Sequence, residues 1–236
     1  MKKIIITGAL GYIGTELCKL YSGFSWKYEV VAIDNRFISE RVNELKRRKI
    51  KFIQADILDL DAIKFYIEKA DIVYHLAGIT DVAYVKKEAD KEKDNLTVKV
   101  AIEGTSNILS AMNANATIVF PSTHVVFEGL KEAKKNLDEN EKTNTFLAYS
   151  SSKVENENQI IKSGKKYAIF RLGSVYGFST DTMRINIMPN LFSKIASQNG
   201  KIKLFGGGVQ LKSLVPLIDV ARCFKFVEEK NNFESG

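Results

Sequence analysis

The stretch ITGALGYIGTELC, residues 6–18, decides how the chain is read. Gly8, Gly11 and Gly14 punctuate it between an apolar run that begins at Lys2 and an amphipathic segment over 13–21. Lys2 and Lys3 before apolar residues also resemble the start of a secretory signal. A signal, however, needs an unbroken apolar core and a small-x-small cleavage site. Here the glycines interrupt the core, Glu16 and Lys19 follow it, and no such site closes it. The remaining reading is a tight junction between a first strand and a first helix. No run approaches the roughly 18 apolar residues of a membrane span, so a soluble protein without membrane partners is expected.

The alternation continues outward from this junction. KKIIITG (2–8), EVVAID (29–34), KFIQAD (51–56), DIVYHLAG (71–78), TIVFPST (117–123) and KYAIFRLG (166–173) each gather β-branched and aromatic residues. Amphipathic stretches at 60–69, 95–113 and 149–163 lie between them. Strands apolar on both faces and separated by helices predict an α/β fold, a doubly wound parallel sheet covered on each side. The 236 residues, 45% of them hydrophobic, suffice for one substantial core and a small appended lobe. The expected division is a Rossmann domain over 1–172 and a partial substrate lobe with a returning helix over 173–236. Cys18 and Cys223, in helix-like apolar patterns without C-x-x-C spacing, are expected in the core of a cytoplasmic protein, and no metal is expected. The net charge of +7 is dispersed among acids, as in KKEADKEKDN (86–95), which reads as a solvated helix face and gives no nucleic-acid signature.

At the strand-to-helix junction each glycine has a physical use. Gly8 permits the sharp turn, Gly11 lets the backbone approach phosphates, and Gly14 allows close helix packing, while the helix N-terminus favours an anion. Twenty residues after Gly14, Asp34 ends the second strand. A carboxylate there accepts hydrogen bonds from an adenosine ribose and repels a 2′-phosphate, which favours NAD over NADP.

The spacing G-x-x-G-x-x-G resembles that of the short-chain dehydrogenase/reductase superfamily. TGALGYIG, AIDN, QADILD, HLAG, STHVVFEG, YSSSK and RLGSVYG resemble, in that order, the motifs of its extended branch, the NAD-dependent epimerases and dehydratases of nucleotide sugars. The resemblance implies cofactor contacts from Gly8, Gly11, Tyr12, Ile13 and Gly14, from Asp34 and Asn35, and from Asp56 and Ile57 beside the adenine. It implies that Leu76, Ala77 and Gly78 line the middle of the nucleotide. It also implies that Asn95 braces the central helix, although Asn95 could equally be a helix N-cap.

Tyr149 and Lys153 are one helical turn apart and share a face. A nearby ammonium and the positive nicotinamide favour a phenolate, which brings a tyrosine toward general-base strength. The resemblance gives Lys153 a hydrogen bond to the nicotinamide ribose and places Thr123 beside Tyr149 to hold the reacting oxygen; Ser122 is the alternative one position away. Dehydratases of the branch carry Asp-Glu after this threonine, whereas His124 and Val125 follow here, which disfavours dehydration. His124 is more readily a structural residue than an acid. Ser174 and Lys212 fall where the branch holds its substrate's phosphates, normally with Asn and Arg. The expected reaction is epimerisation of a nucleotide sugar through a transient keto intermediate, NAD being recycled. A net oxidoreductase, a dehydratase and a non-catalytic dinucleotide-binding protein stay open. A homodimer through 95–113 and 149–163 is expected, and since relatives continue past residue 236, so is either a fragment or a reduced lobe.

Overall fold

Six of the apolar runs form one parallel sheet. Its strands are β1 (Lys2–Thr7), β2 (Tyr28–Asp34), β3 (Lys51–Gln54), β4 (Ile72–His75), β5 (Thr117–Thr123) and β6 (Lys166–Leu172), in the order β3-β2-β1-β4-β5-β6. The computed structural model describes residues 1–80, 90–132, 134, 136–179, 182–230 and 234–236. The strand order reverses between β1 and β4. In such sheets ligands bind at that reversal, beyond the carboxyl ends of the strands.

Both faces of the sheet are dry because both parities of each strand are apolar: Ile4, Ile5 and Ile6 are fully buried. Ile4 and Ile6 join Leu17, Cys18 and Tyr21 of α1 (Tyr12–Ser22), Leu45 of α2 (Ser39–Arg47) and Phe224 of α7 (Leu217–Glu229). Ile5 joins Ile63 and Ile67 of α3 (Leu60–Ile67), Ile108 of α4 (Lys91–Ala111) and Ile160 of α5 (Ala148–Lys162). Beyond Gly173 stand α6 (Met188–Ser197) and a two-stranded parallel pair, β7 (Ser174–Tyr176) with β8 (Leu214–Pro216).

Three expectations change here. Cys223 is exposed, because the buried stripe of α7 runs through Val220, Ala221 and Phe224 and turns position 223 outward. Cys18 is buried as expected, and burial pushes its thiol up to about 12. The helix predicted from residue 95 begins at Lys91 with Asp90 as its N-cap, its side chain accepting from the Glu92 N–H, so Asn95 is not a cap. Of the run 86–95, residues 86–89 lie outside the described residues, and the charged side chains of Lys91, Glu92 and Lys93 on α4 are exposed.

The end of the sheet opposite the reversal is closed by polar groups under α7. The Tyr28 hydroxyl donates to Glu228, the Lys2 ammonium lies 2.9 Å from the same carboxylate, and the Tyr74 hydroxyl donates to the Phe224 carbonyl at 3.1 Å. Burial raises the Glu228 carboxyl, but Tyr28 and Lys2 more than offset this and hold it below the usual range. A depressed carboxyl stabilises the fold above its unfolded pKa and ceases to do so as pH falls through the folded one. We therefore expect Glu228→Gln to cost about 1–3 kcal/mol at pH 7, with the deficit shrinking below about pH 4. Urea unfolding at pH 7 and pH 3.5 checks this, and a deficit equal at both would exclude the charge as its source.

Candidate active site

The junction after β1 is built by contacts that exclude side chains. Gly8 has φ +66°, and a Cβ there would lie 2.7 Å from the Ala77 nitrogen and 2.8 Å from the Leu76 carbonyl carbon. A Cβ on Gly14 would lie 2.5 Å from the Gly8 carbonyl oxygen, so α1 can start this close to the turn only without one. Gly11 precedes α1, no side chain caps that helix, and its first turn holds no acid. A Cβ on Gly78, across the reversal, would meet nothing within 4 Å. An uncapped helix N-terminus facing open backbone suits a pyrophosphate, so these residues fit a dinucleotide. The Tyr12 side chain is turned away to donate to the Gly177 carbonyl, and Ile13 packs on the core; what they present at the helix tip is main chain.

Asp34 is 5% exposed at the end of β2 and accepts from the Leu10 N–H at 3.0 Å. It also accepts from Nε of Arg36 at 3.0 Å, a partner the sequence reading did not name. Asn35 donates to Asp56 at 3.0 Å, and Asp56 also accepts from the Leu58 N–H. The Ile57 side chain is a core group: it is buried and fills the space over Gly104 on α4. Contact with a nucleotide through that side chain is therefore not what the geometry provides.

Across the reversal, Leu76, Ala77 and Gly78 line one cleft with Phe120, Tyr149 and Lys153. Thr123 ends β5 and its hydroxyl accepts from the Val125 N–H, opening the short 3-10 turn His124–Phe127. Ser122 is no substitute, since its hydroxyl donates to the buried Glu157 carboxylate. The Lys153 ammonium donates to the Pro121 carbonyl at 2.7 Å and stands 4.3 Å from the centre of the Phe120 ring. Burial pulls Lys153 down to about 8, against the opposing pull of Glu157. Tyr149 is raised by burial, and the groups that lower it are the Thr123 hydroxyl and Arg184. The expectation that Lys153 brings Tyr149 toward base strength is thus corrected for the free protein, where burial dominates.

A buried polar chain joins the glycine turn to α5. Thr7 Oγ1 accepts from the Ala77 N–H and lies 3.0 Å from His75 Nδ1; His75 Nε2 lies 3.0 Å from Thr105 Oγ1; Asn156 Nδ2 donates to that same oxygen at 2.6 Å. Burial and the Lys153 charge hold His75 down to about 3, so it is neutral. Asn95 is exposed, and the bracing expected of it falls to Asn156, which also donates to the Ala101 carbonyl.

The groups expected at the substrate are less assembled. Ser174 lies on β7, half-buried, with its N–H donating to the Ser213 carbonyl at 2.8 Å, and Lys212 is exposed. His124 donates through Nδ1 to the Leu172 carbonyl at 3.0 Å, as a structural residue would. Arg184, which the sequence reading passed over, donates to the Thr80 carbonyl at 3.1 Å and acts electrostatically on both Tyr12 and Tyr149. An isolated arginine in a polar loop carries no periodic or motif signal.

The model of the NAD dependent epimerase/dehydratase family matches residues 4–236. The dTDP-D-glucose 4,6-dehydratase of Homo sapiens is 26% identical over 243 residues, 97% of this chain and 66% of its own. The chain spans only part of its curated relatives, from 31% of one to 71% of another. Among solved structures, UDP-glucuronic acid 4-epimerase from Bacillus cereus, in complex with UDP-glucuronic acid and NAD, has a TM-score of 0.81 at 25% identity, over 99% of this chain and 75% of that one. UDP-glucose 4-epimerase of Thermotoga maritima, with UDP-glucose, has a TM-score of 0.81 at 23% identity, over 98% and 75%, a likeness of fold.

Asp34→Asn separates the charge of this carboxylate from its shape. An amide oxygen still accepts from Leu10, while the charge expected to repel a 2′-phosphate is gone and Arg36 is released. Calorimetric titration with both nucleotides is expected to show the preference for NAD over NADP narrowed about tenfold. An unchanged preference would remove Asp34 from cofactor selection.

Proposed function

Because the chain belongs to the NAD dependent epimerase/dehydratase family, whose model matches residues 4–236, we propose that it is a nucleotide-sugar epimerase. One observation carries the reading: Tyr149 and Lys153 line the cleft beside Leu76, Ala77 and Gly78, with Thr123 adjoining Tyr149. Main chain at Gly8, Gly11, Tyr12, Ile13 and Gly14 would take the pyrophosphate, Asp34 and Asn35 the adenosine ribose, and Asp56 the adenine. Lys153 would take the nicotinamide ribose. When bound, NAD supplies a group that accepts and returns a hydride.

The chain's own residues handle the proton. Tyr149 is a neutral hydroxyl at pH 7, because burial raises it. As a phenolate, a state that Thr123 and Arg184 make less costly, it would take the proton of the sugar hydroxyl it faces as that carbon gives up its hydride, and return the proton when the hydride returns. Thr123 would hold the reacting oxygen, and Lys153 adds positive charge to the same cleft. Dehydration would call for a further acid and base next to Thr123. The neighbours there are Val125 and His124, whose Nδ1 is committed to Leu172.

The proposal extends to a division at residues 172 and 173, with Ser174 and Lys212 of the later part meeting the substrate's diphosphate. It includes a cytoplasmic homodimer through α4 and α5, which leave Leu96, Val98 and Ile161 exposed.

Tyr149→Phe removes one hydroxyl and keeps the ring, so NAD binding persists while turnover falls by about 10² or more. Thr123→Val lowers turnover with NAD affinity unchanged. Steady-state assays paired with calorimetry check both. Near-normal turnover by Tyr149→Phe would contradict the assignment and favour a non-catalytic dinucleotide-binding protein.

A further inference from the structure

One turn behind Lys153 on α5 lies a carboxylate that the proton chemistry above leaves without a task. Glu157 is 5% exposed. It accepts from the Ser122 hydroxyl and from Arg171 on β6, through Nη2 at 2.8 Å and Nε at 3.2 Å. Arg171 is held in turn by the Glu139 carbonyl at 3.1 Å, and its guanidinium carbon lies 5.5 Å from the centre of the Phe127 ring. Tyr149, Lys153 and Glu157 are spaced four residues apart, so one stripe of α5 carries a phenol, an ammonium and a carboxylate in sequence. Strand β5 ties the two charges together: Lys153 donates to the Pro121 carbonyl, and the next residue, Ser122, donates to Glu157.

The hydrogen bond and ring contact of Lys153 described above are both to neutral groups. A buried ammonium with only neutral partners loses its proton unless an opposite charge is near. We propose that Glu157 is a positioning residue that keeps Lys153 charged in the cleft, and that Arg171 sets how much of the carboxylate's charge Lys153 feels. This rests on the assignment of Lys153 to the cofactor ribose. With Glu157 in place, Lys153 sits near about 8, charged at neutral pH, and Glu157 is the group that raises it. The other titratable groups around this part of α5 do not supply that charge. His75 on β4 is neutral, and Tyr149 on the preceding turn is an uncharged hydroxyl. Glu128, after the 3-10 turn, is used by the N–H groups of Phe146 and Leu147 at the start of α5. From α4, the groups lining the cleft are Thr97, Ala101 and Thr105.

The test is NAD affinity of the full chain, by calorimetry from pH 6 to pH 10. Affinity should be level below a break near about 8 and fall above it as Lys153 loses its proton. Lys153→Met should abolish the break. Glu157→Gln keeps the shape, removes the charge and moves the break down by about one unit, which makes NAD binding at pH 9 about tenfold weaker than in the wild type. Arg171→Gln frees the carboxylate and moves the break up. Opposite movements are what a purely structural pair would not give. Should Glu157→Gln fail to fold, Glu157→Asp, whose charge is drawn back by one methylene, should move the break down by less. A wild-type break that the Glu157 variants leave in place overturns this inference alone, as does movement in one direction by both Glu157 and Arg171 variants. A flat wild-type profile matched by Lys153→Met overturns the role of Lys153 and this inference with it.

Discussion

The site depends on two backbones brought closer than any side chain would allow. Gly8 after β1 and Ala77 after β4 meet where a Cβ would be 2.7 Å from a main-chain nitrogen, and Gly14 meets Gly8 at a similar distance. With that approach, the amino end of α1 points into the reversal of strand order, and the loop over 76–78 forms its far wall. A methyl group at either glycine would push the helix or the loop outward by a few tenths of an ångström or more. The anion site and the cleft would then no longer share an edge.

The same approach is transmitted to α5 through polar groups that have no water to fall back on. Thr7, His75, Thr105 and Asn156 each satisfy a neighbour across a different pair of elements. Buried hydrogen-bonding groups are costly when unpaired, so such a chain fixes register more than it adds net stability. It ends on α5, three residues past Lys153. The electrostatics follow from the same dryness: burial is the largest cause that raises Tyr149 and lowers Lys153 and His75, the last lowered further by the Lys153 charge. It thereby gives the few nearby charges, Arg184 and Glu157, an influence they would lack in water.

Strands were legible because both of their faces are apolar, and β5 spans the same residues in sequence and structure, Thr117–Thr123. Helix α2 was not, because SERVNELKR buries only Leu45 and its period is faint. The glycines, Asp34, Thr123, Tyr149 and Lys153 stood out through spacing and order. The groups that tune them did not. Arg36, Arg184 and the Glu157–Arg171 pair act through contacts between residues 2 to 104 apart in the chain, and nothing in the local pattern separates them from the chain's other charged residues. Asn95 was misplaced for a related reason: a helix start inferred from apolar period overlooks a polar first turn capped by Asp90. Cys223 shows the limit of composition, since a thiol in an apolar helix can face either way.

The proposed exchange, in which the Tyr149 phenolate takes a proton and the same group returns it, suits a reaction with no net redox change. The most direct measurement is to incubate the protein with catalytic NAD and a panel of nucleotide sugars, following product stereochemistry by NMR and the reduced nicotinamide by absorbance. The account predicts an epimer of one substrate at equilibrium, with no build-up of NADH. NADH accumulating in step with substrate loss, or a product that has lost water, would contradict it.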